Sequence, residues 1–258
     1  MSKEEALVSL LISRGVGIGA ELALVLEKTG SINTLQVLKC DGTNVNVGDK
    51  KRVNVSVEHK IGRPVTCVLC SLHKIEIMLR NVFLKLDGVL SGPNTFTGPI
   101  GKAIKDVSAL SPIVHFQSIG IELPIMSDHV LSNMTTDQKY LFSIAQMVSV
   151  GYTMTDPGLM QFIKSNEPGK MHLARWMTTA SRILRFYVSF ENPRPKLIRL
   201  SRFVMKIYIC SWFDAKLFPS ISDASKNIFK IVQRVNSFGD EEIQNIVSAR
   251  LTLSIPTP

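Results

Sequence analysis

The sequence predicts an α/β protein that is predominantly helical. Two short apolar runs, at residues 35–38 and 65–69, end at turn or polar residues, which is typical of buried strands. From residue 131 onward, apolar residues recur every three or four positions, which indicates a series of helices. The chain has 258 residues, enough to bury a sizeable core. We therefore expect a strand-bearing part at residues 1–130 and a helical part at residues 131–258.

The first part is expected to alternate helices with strands. Helical patterns at residues 4–13 and 19–28 flank a glycine cluster at residues 15–19, which we interpret as their separator. No strand precedes this cluster and no Gly-Lys-Ser/Thr follows it, so a phosphate-binding loop is disfavoured. Helices are expected at residues 50–59 and 71–86, each next to a predicted strand. Residues 88–128, rich in Gly, Pro and Ser, predict loops with one further strand at 113–116.

The second part is expected to contain only helices. Thr135 or Thr136 is a suitable cap for the first of them, with Asp137 in its first turn. Pro168-Gly169 and the prolines at 193 and 195 interrupt the helical pattern. The predicted helices cover residues 136–150, 171–190, 196–213, 223–236 and 240–253.

The charge is distributed unevenly. The net charge is +9, and residues 164–234 alone hold fourteen Lys and Arg against four Asp and Glu. Such a region favours a polyanion such as DNA, because each neutralised phosphate releases counterions; a solvated helix face is the alternative. No apolar stretch approaches the roughly 18 residues of a membrane span, and the N-terminus lacks a secretory pattern. We therefore expect an intracellular protein without membrane association. Its four cysteines are expected to be reduced.

Asp41 is the first candidate for chemistry. It directly follows the first predicted strand, and the oxygen-bearing Thr43, Asn44 and Asn46 come next. Hard cations such as Mg²⁺ prefer carboxylate and carbonyl oxygens, so Asp41 is a candidate metal ligand. The alternative is an ordinary turn residue, since Asp before Gly is common in turns.

A Cys-x-x-His pair, Cys70 and His73, follows the second predicted strand. Ligands gather at the carboxyl ends of strands in open α/β sheets, so we expect this pair to lie near Asp41. With Cys67 the pair supplies three potential zinc ligands, one fewer than a structural zinc site uses. The favoured alternative is small buried thiols beside a hydrogen-bonded histidine.

Arg175 and Trp176 form the third notable pair, near the start of the predicted helix at 171–190. Trp176 amid Arg175, Arg182 and Arg185 could stack on an unpaired base while the arginines hold phosphates. A tryptophan in an amphipathic helix more often lies in the core, and both interpretations stay open. Spacing supports no Ser-His-Asp or Cys-His nucleophile.

Taken in order, Asp41-Gly-Thr-x-Val-x-x-Gly48, Cys70-x-x-His73 and Arg175-Trp176 resemble the hAT superfamily of cut-and-paste DNA transposases. The resemblance covers residues 35–235. It implies an RNase H-like core interrupted by a helical insertion. Residues 1–130 would then be a partial RNase H-like core and residues 131–258 the basic helical insertion. Further similarities are Leu86-Asp-Gly, Ser91-Gly-Pro, Phe96-Thr-Gly-Pro-Ile-Gly101, Asp137-Gln-Lys-Tyr140 and the stretch from Pro168-Gly to Arg185-Phe-Tyr-Val.

The resemblance also implies roles for the candidate residues. In the family, two Asp and one Glu hold two divalent metals that activate the attacking oxygen for in-line attack on a phosphodiester. Asp41 would match the second of these acids. Cys70 and His73 would match a motif that braces the core, and Arg175-Trp176 a motif that stacks near a flipped base.

The chain departs from the family pattern at the other two acids. Only forty residues precede Asp41, and they predict helix and turn rather than the strand of the first acid. Glu241 and Glu242 are the only late candidates for the third, and the family's zinc-finger module is also missing. We therefore expect a catalytically inactive, transposon-derived fragment that resides in the nucleus and binds DNA. No cofactor is certain; Mg²⁺ or Mn²⁺ would serve an active form.

Two alternatives remain open. An active metal-dependent strand-transfer enzyme would need Asp41 to pair with another carboxylate, such as Glu58, Glu76 or Glu241. A protein-interaction module, including a homo-oligomer, would need an exposed apolar face on the helical half. The candidates for that face are Leu197, Leu200, Phe203, Val204, Ile207 and Tyr208.

Overall fold

The computed structural model describes residues 14–40, 53–92, 95–106, 113–170, 176–220 and 222–252. The protein is predominantly helical with few strands, as the sequence predicted. It divides into two compact units, residues 1–74 and 75–258. The boundary predicted at residue 130 is based on composition and on the family resemblance, and it remains a prediction. Within the described ranges, every helix falls short of the length and apolar character that crossing a bilayer requires.

The first unit contains both strands that the sequence predicted. Helix α1 (Arg14–Lys28) precedes strand β1 (Val37–Cys40), and helix α2 (Val53–Ile61) precedes strand β2 (Thr66–Leu69). The two strands pair in parallel, from Val37 opposite Thr66 to Cys40 opposite Leu69. A parallel pair requires a crossover connection, and α2 lies within it. The carboxyl ends of the strands therefore lie side by side, as expected.

The glycine cluster does not separate two helices, so that prediction was wrong. Helix α1 begins at Arg14 and continues through Gly15, Gly17 and Gly19. Helix α2 packs so closely on α1 that a Cβ on Gly19 would lie 2.5 Å from Cβ of Ser56. The Ser56 hydroxyl also donates to the carbonyl of Val16 at 3.1 Å. This packing offsets the cost of about 1 kcal/mol that a helical glycine carries. The predicted helix at 4–13 lies outside the described residues.

Helix α3 (Ser71–Asp87) begins in the first unit and ends in the second. A short antiparallel pair follows, β3 (Leu90–Gly92) with β4 (Thr95–Phe96). Helix α4 (Pro99–Ala103) then leads into a 3₁₀ turn, Ile104–Asp106.

The segment at residues 113–127 is extended but forms no strand, contrary to the prediction at 113–116. Its amide groups bond to helix ends instead of a sheet: Val114 N–H donates to Val188 O, and Ile119 N–H to Val148 O. Its carbonyl at Gln117 accepts from the Tyr187 hydroxyl at 3.1 Å. Ile113, Phe116 and Ile119 of this segment are buried, whereas Ile125 is exposed.

The rest of the second unit is helical, close to the prediction. Thr135 and Gln138 form a capping box at the start of the helix at 136–150, whose predicted bounds are confirmed. The predicted helix at 196–213 extends further and contains a π-helical segment, Val204–Ile209. The helices are α5 (Asp128–Ser132), α6 (Thr136–Val150), α7 (Pro157–Ser165), α8 (Trp176–Tyr187), α9 (Pro195–Phe203), α10 (Cys210–Leu217), α11 (Ala224–Asn236) and α12 (Glu241–Thr252), with a 3₁₀ turn at Tyr152–Met154.

The apolar face of α9 and the π segment lies in the core of this unit. All six residues proposed above for an exposed interaction face are at most 2% exposed. That part of the interaction hypothesis was therefore wrong. The core here is rich in aromatic contacts, such as Phe142 against Phe213 with ring centroids 5.2 Å apart.

Candidate nucleic-acid interface

The edge formed by the two strand ends holds part of the predicted site. Cys70 directly follows β2, and His73 lies in the first turn of α3; both side chains are half-buried and Cys70 is a free thiol. Asp41 lies outside the described residues. In the described ranges, no three His, Cys, Asp or Glu side chains are grouped to hold a metal ion. The metal-binding role of Asp41 therefore stays a prediction.

Two of the other carboxylates named for catalysis accept hydrogen bonds within the protein. Glu242 accepts from Arg199 at 2.8 Å, and Glu58 accepts from the backbone N–H of Val65 at 2.9 Å. Glu241 lies exposed in the first turn of α12, where its negative charge interacts favourably with the helix dipole.

Trp176 is a core residue in this structure. It is 2% exposed and begins α8, while Arg175 before it lies outside the described residues. Its ring contacts Phe83, with centroids 5.6 Å apart, and Phe96 at 6.5 Å. Phe83 and Phe96 also meet edge to face at 5.2 Å. The enclosure of the indole favours the core interpretation of the two that the sequence left open.

Arg182 lies in the interior and binds backbone carbonyls. It is 7% exposed. Its Nη1 donates to Ile104 O and Lys105 O, both at 2.9 Å. Its Nε and Nη2 donate to Gly169 O at 3.1 Å and Pro168 O at 3.3 Å. The guanidinium thus joins the 3₁₀ turn after α4 to the Pro-Gly segment before α8, and its donors are directed at protein rather than at phosphate.

Arg185 is equally buried, one turn further along α8. Its Nη1 and the hydroxyl of Tyr140 have no hydrogen-bond partner among the described residues. Burial raises the pKa of Tyr140 to about 12, while the nearby Arg185 and Arg182 act in the opposite direction. Three of the four predicted DNA-binding residues can be placed, and all three are interior.

Asp87 is a structural residue that the sequence analysis did not single out beyond the family likeness. Its carboxylate accepts from the backbone N–H of Ile100 at 2.9 Å and of Gly101 at 2.6 Å, so it caps the start of α4. A Cβ on Gly98 would overlap the carbonyl oxygen of Asp87, and one on Gly101 would lie 2.5 Å from Phe96. These contacts give the Asp-Gly and Phe-Thr-Gly-Pro-Ile-Gly stretches a packing role.

Several exposed cations of the basic region lie along α9 and the residues on either side of it. Lys196, Arg199 and Arg202 follow one another at intervals of three, so they share the outer face of the helix. Lys206 continues this face, and Arg194 precedes the helix. The residues that we name the α9 stripe are Arg194, Lys196, Arg202 and Lys206, which are exposed and make no salt bridge within the described part of the chain.

Three other cations of the region bind acids. Arg199 donates to Asp240 at 2.7 Å and to Glu242 at 2.8 Å, which raises the pKa of the guanidinium and lowers the pKa of Asp240. Lys230 and Arg234 both bind Asp214, at 3.1 and 2.6 Å. The stripe therefore gathers four exposed cations along one segment of the chain. The exposed Lys164, Lys170, Lys216 and Lys226 lie at other places in the region.

Comparisons with protein-family models, curated proteins and solved structures find no match to this chain. Any proposal for the function is therefore based on the residues themselves and on the resemblance given above.

Proposed function

We propose that the protein is a transposon-derived, hAT-like fragment that binds DNA without cleaving it, and that the α9 stripe contacts the phosphates. The observation that carries this proposal is the row of exposed cations along α9 and its two flanking segments, which make no salt bridge with any described residue. It replaces Arg182, Arg185 and Trp176 as the expected contact surface, since those side chains are buried.

The dimensions of the stripe suit a nucleic-acid strand. Lys206 follows Arg194 by twelve positions, a separation that would span about 18 Å at the rise of an α-helix. Phosphates of one duplex strand follow at about 3.4 Å along the axis, so the stripe spans roughly five of them. The stripe has no sequence-reading geometry of its own, and binding is expected to tolerate different sequences.

The first unit supports the family part of the proposal. Strand, crossover helix and parallel strand form a βαβ unit, and helix α3 follows it. An RNase H-like core combines such strands with helices, and we propose that this unit is a partial core of that kind. Asp41 would be its one remaining catalytic acid.

The proposal is tested by fluorescence-anisotropy titration of a labelled DNA duplex at several salt concentrations. Four phosphate contacts predict a slope of about −3.6 for the logarithm of affinity against that of salt, hence a loss of about 150-fold between 50 and 200 mM. The double variant R202Q/K206Q removes two contacts. Its slope should be about −1.8, with a loss of only about 12-fold over the same range.

A matched control removes two exposed lysines from the first unit. Lys28 ends helix α1 and Lys60 lies in the last turn of α2, and the variant K28Q/K60Q lowers the net charge by the same amount. It should retain the wild-type slope. Equal slopes for the two double variants would show that net charge, not the stripe, governs binding.

Cleavage is tested by adding Mn²⁺ to the bound complex and following the DNA on a denaturing gel. The proposal predicts intact DNA. Nicking that disappears in Asp41→Ala would replace it with the active-enzyme alternative.

A further inference from the structure

A pocket of about 720 Å³ lies in the second unit, beside the stripe. Helix α4, the end of α8 with its following loop, and the first turn of α9 form its walls. The volume falls within the range of about 300–1,000 Å³ that is usual for small-molecule sites.

The lining is mainly apolar. Ile100 and Ala103 contribute one wall, Phe186 and Phe190 a second, and Leu197 a third. The two phenylalanine rings meet edge to face with centroids 5.0 Å apart. Such a surface favours an aromatic or aliphatic body over a polar one.

The walls are held in place independently of any ligand. Asp87 fixes the start of α4 through the N–H groups of Ile100 and Gly101. Arg199 ties α9 to the start of α12 through Asp240. A pocket between elements anchored in this way is largely pre-formed, which reduces the ordering cost of binding.

The charged side chains at the pocket are both cationic. Arg194 and Lys196 line it, are exposed, and make no salt bridge with any described residue. None of the lining residues that the structure describes is acidic, and the other polar side chain among them is the neutral amide of Asn192. Two cations beside an apolar cavity are complementary to a ligand that has one anionic end.

We propose that this pocket binds an amphipathic anion, an aromatic or aliphatic body that carries one carboxylate, sulfonate or phosphate group. The body occupies the space between the phenylalanines and Ala103, and the anionic group meets Arg194 and Lys196. This site does not depend on DNA binding, although it shares two cations with the stripe.

The test uses two fluorescent probes with the same ring system. Anilinonaphthalene sulfonate carries an anionic group, and N-phenylnaphthylamine is its neutral counterpart. One anionic probe should bind per chain, and the neutral probe roughly tenfold more weakly, because it forgoes two exposed charge contacts. Equal affinities of the two probes would overturn the proposal.

Two variants separate the parts of the pocket. R194Q/K196Q, with both changes on the surface, should weaken the anionic probe about tenfold and leave the neutral probe within twofold. Ala103→Leu should weaken both probes by filling the cavity while leaving DNA affinity unchanged. Its fold is checked by circular dichroism, and the surface variant provides the test if this one unfolds. Unchanged binding of the anionic probe in R194Q/K196Q would refute the assignment.

Two further measurements show whether probe binding is separate from DNA binding and which kind of ligand body the pocket accepts. R202Q/K206Q should bind the anionic probe like the wild type although it loses DNA affinity, so failure of DNA binding and failure of the pocket are told apart. Competition with laurate and with 1-naphthoate identifies an aliphatic or an aromatic body. Displacement by either supports the proposal, and displacement by neither contradicts it.

Discussion

Replacement of Arg182 by alanine should destabilise the second unit severely without a direct effect on DNA binding. The side chain is 7% exposed and its guanidinium donates to four carbonyl oxygens, two of which, Ile104 O and Pro168 O, are in buried bonds. Each buried acceptor that loses its partner costs about 1–3 kcal/mol. The two together give an expected loss of about 2–6 kcal/mol in the free energy of unfolding.

The loss can be measured by urea denaturation followed by circular dichroism, and by thermal melting. For a unit of this size, about 4 kcal/mol corresponds to a Tm lower by roughly 8–16 °C. Arg202→Ala is the matched control, because Arg202 is exposed on the next helix; it should change stability by less than about 0.5 kcal/mol and weaken DNA binding. The reasoning is refuted if Arg182→Ala unfolds like the wild type, or if it lowers DNA affinity while fully folded.

Three further predictions concern the contacts around this core. Arg199 lowers the pKa of Asp240 below the ordinary 3.8, so the ion pair stabilises the fold above that pH and its contribution disappears as pH falls further; Asp240→Asn should lose this acid-dependent part in melts between pH 2 and 5. Acrylamide should quench the indole of Trp176 weakly, with or without DNA, and protection that appears only with DNA would contradict its place in the core. Gly98→Ala should cost about 1–3 kcal/mol in urea denaturation, because the added methyl overlaps Asp87; wild-type stability would show that the turn adjusts freely.

The sequence predicts the local elements well. Apolar runs bounded by turn residues correctly indicate β1 and β2, and a capping threonine at 135 or 136 with Asp137 in the first turn correctly indicates the start of α6. These signals are local, because a strand run and a helix cap each depend on residues that are close together in the sequence. The glycine cluster misleads for the opposite reason. Gly19 is needed because Ser56 packs closely against it, and Ser56 lies far away in the chain.

The roles of the functional candidates depend on distant contacts. Arg182 binds a carbonyl 78 positions earlier in the chain, at Ile104, so its burial is not visible in the spacing of α8. The spacing of the α9 cations, in contrast, was available as a signal. With charges at every third or fourth position, the apolar residues between them must face inward, and this excludes the exposed apolar face that the composition suggested. The pocket is formed by three separate segments, and no motif indicates it.

The most direct test of the central claim is the salt dependence of DNA affinity for the variant that lacks the whole stripe, R194Q/K196Q/R202Q/K206Q. If the stripe binds the phosphates, the slope of about −3.6 falls close to zero while the fold, checked by circular dichroism, is retained. A folded variant that keeps the wild-type slope would contradict it, because the phosphates would then be bound elsewhere on the chain.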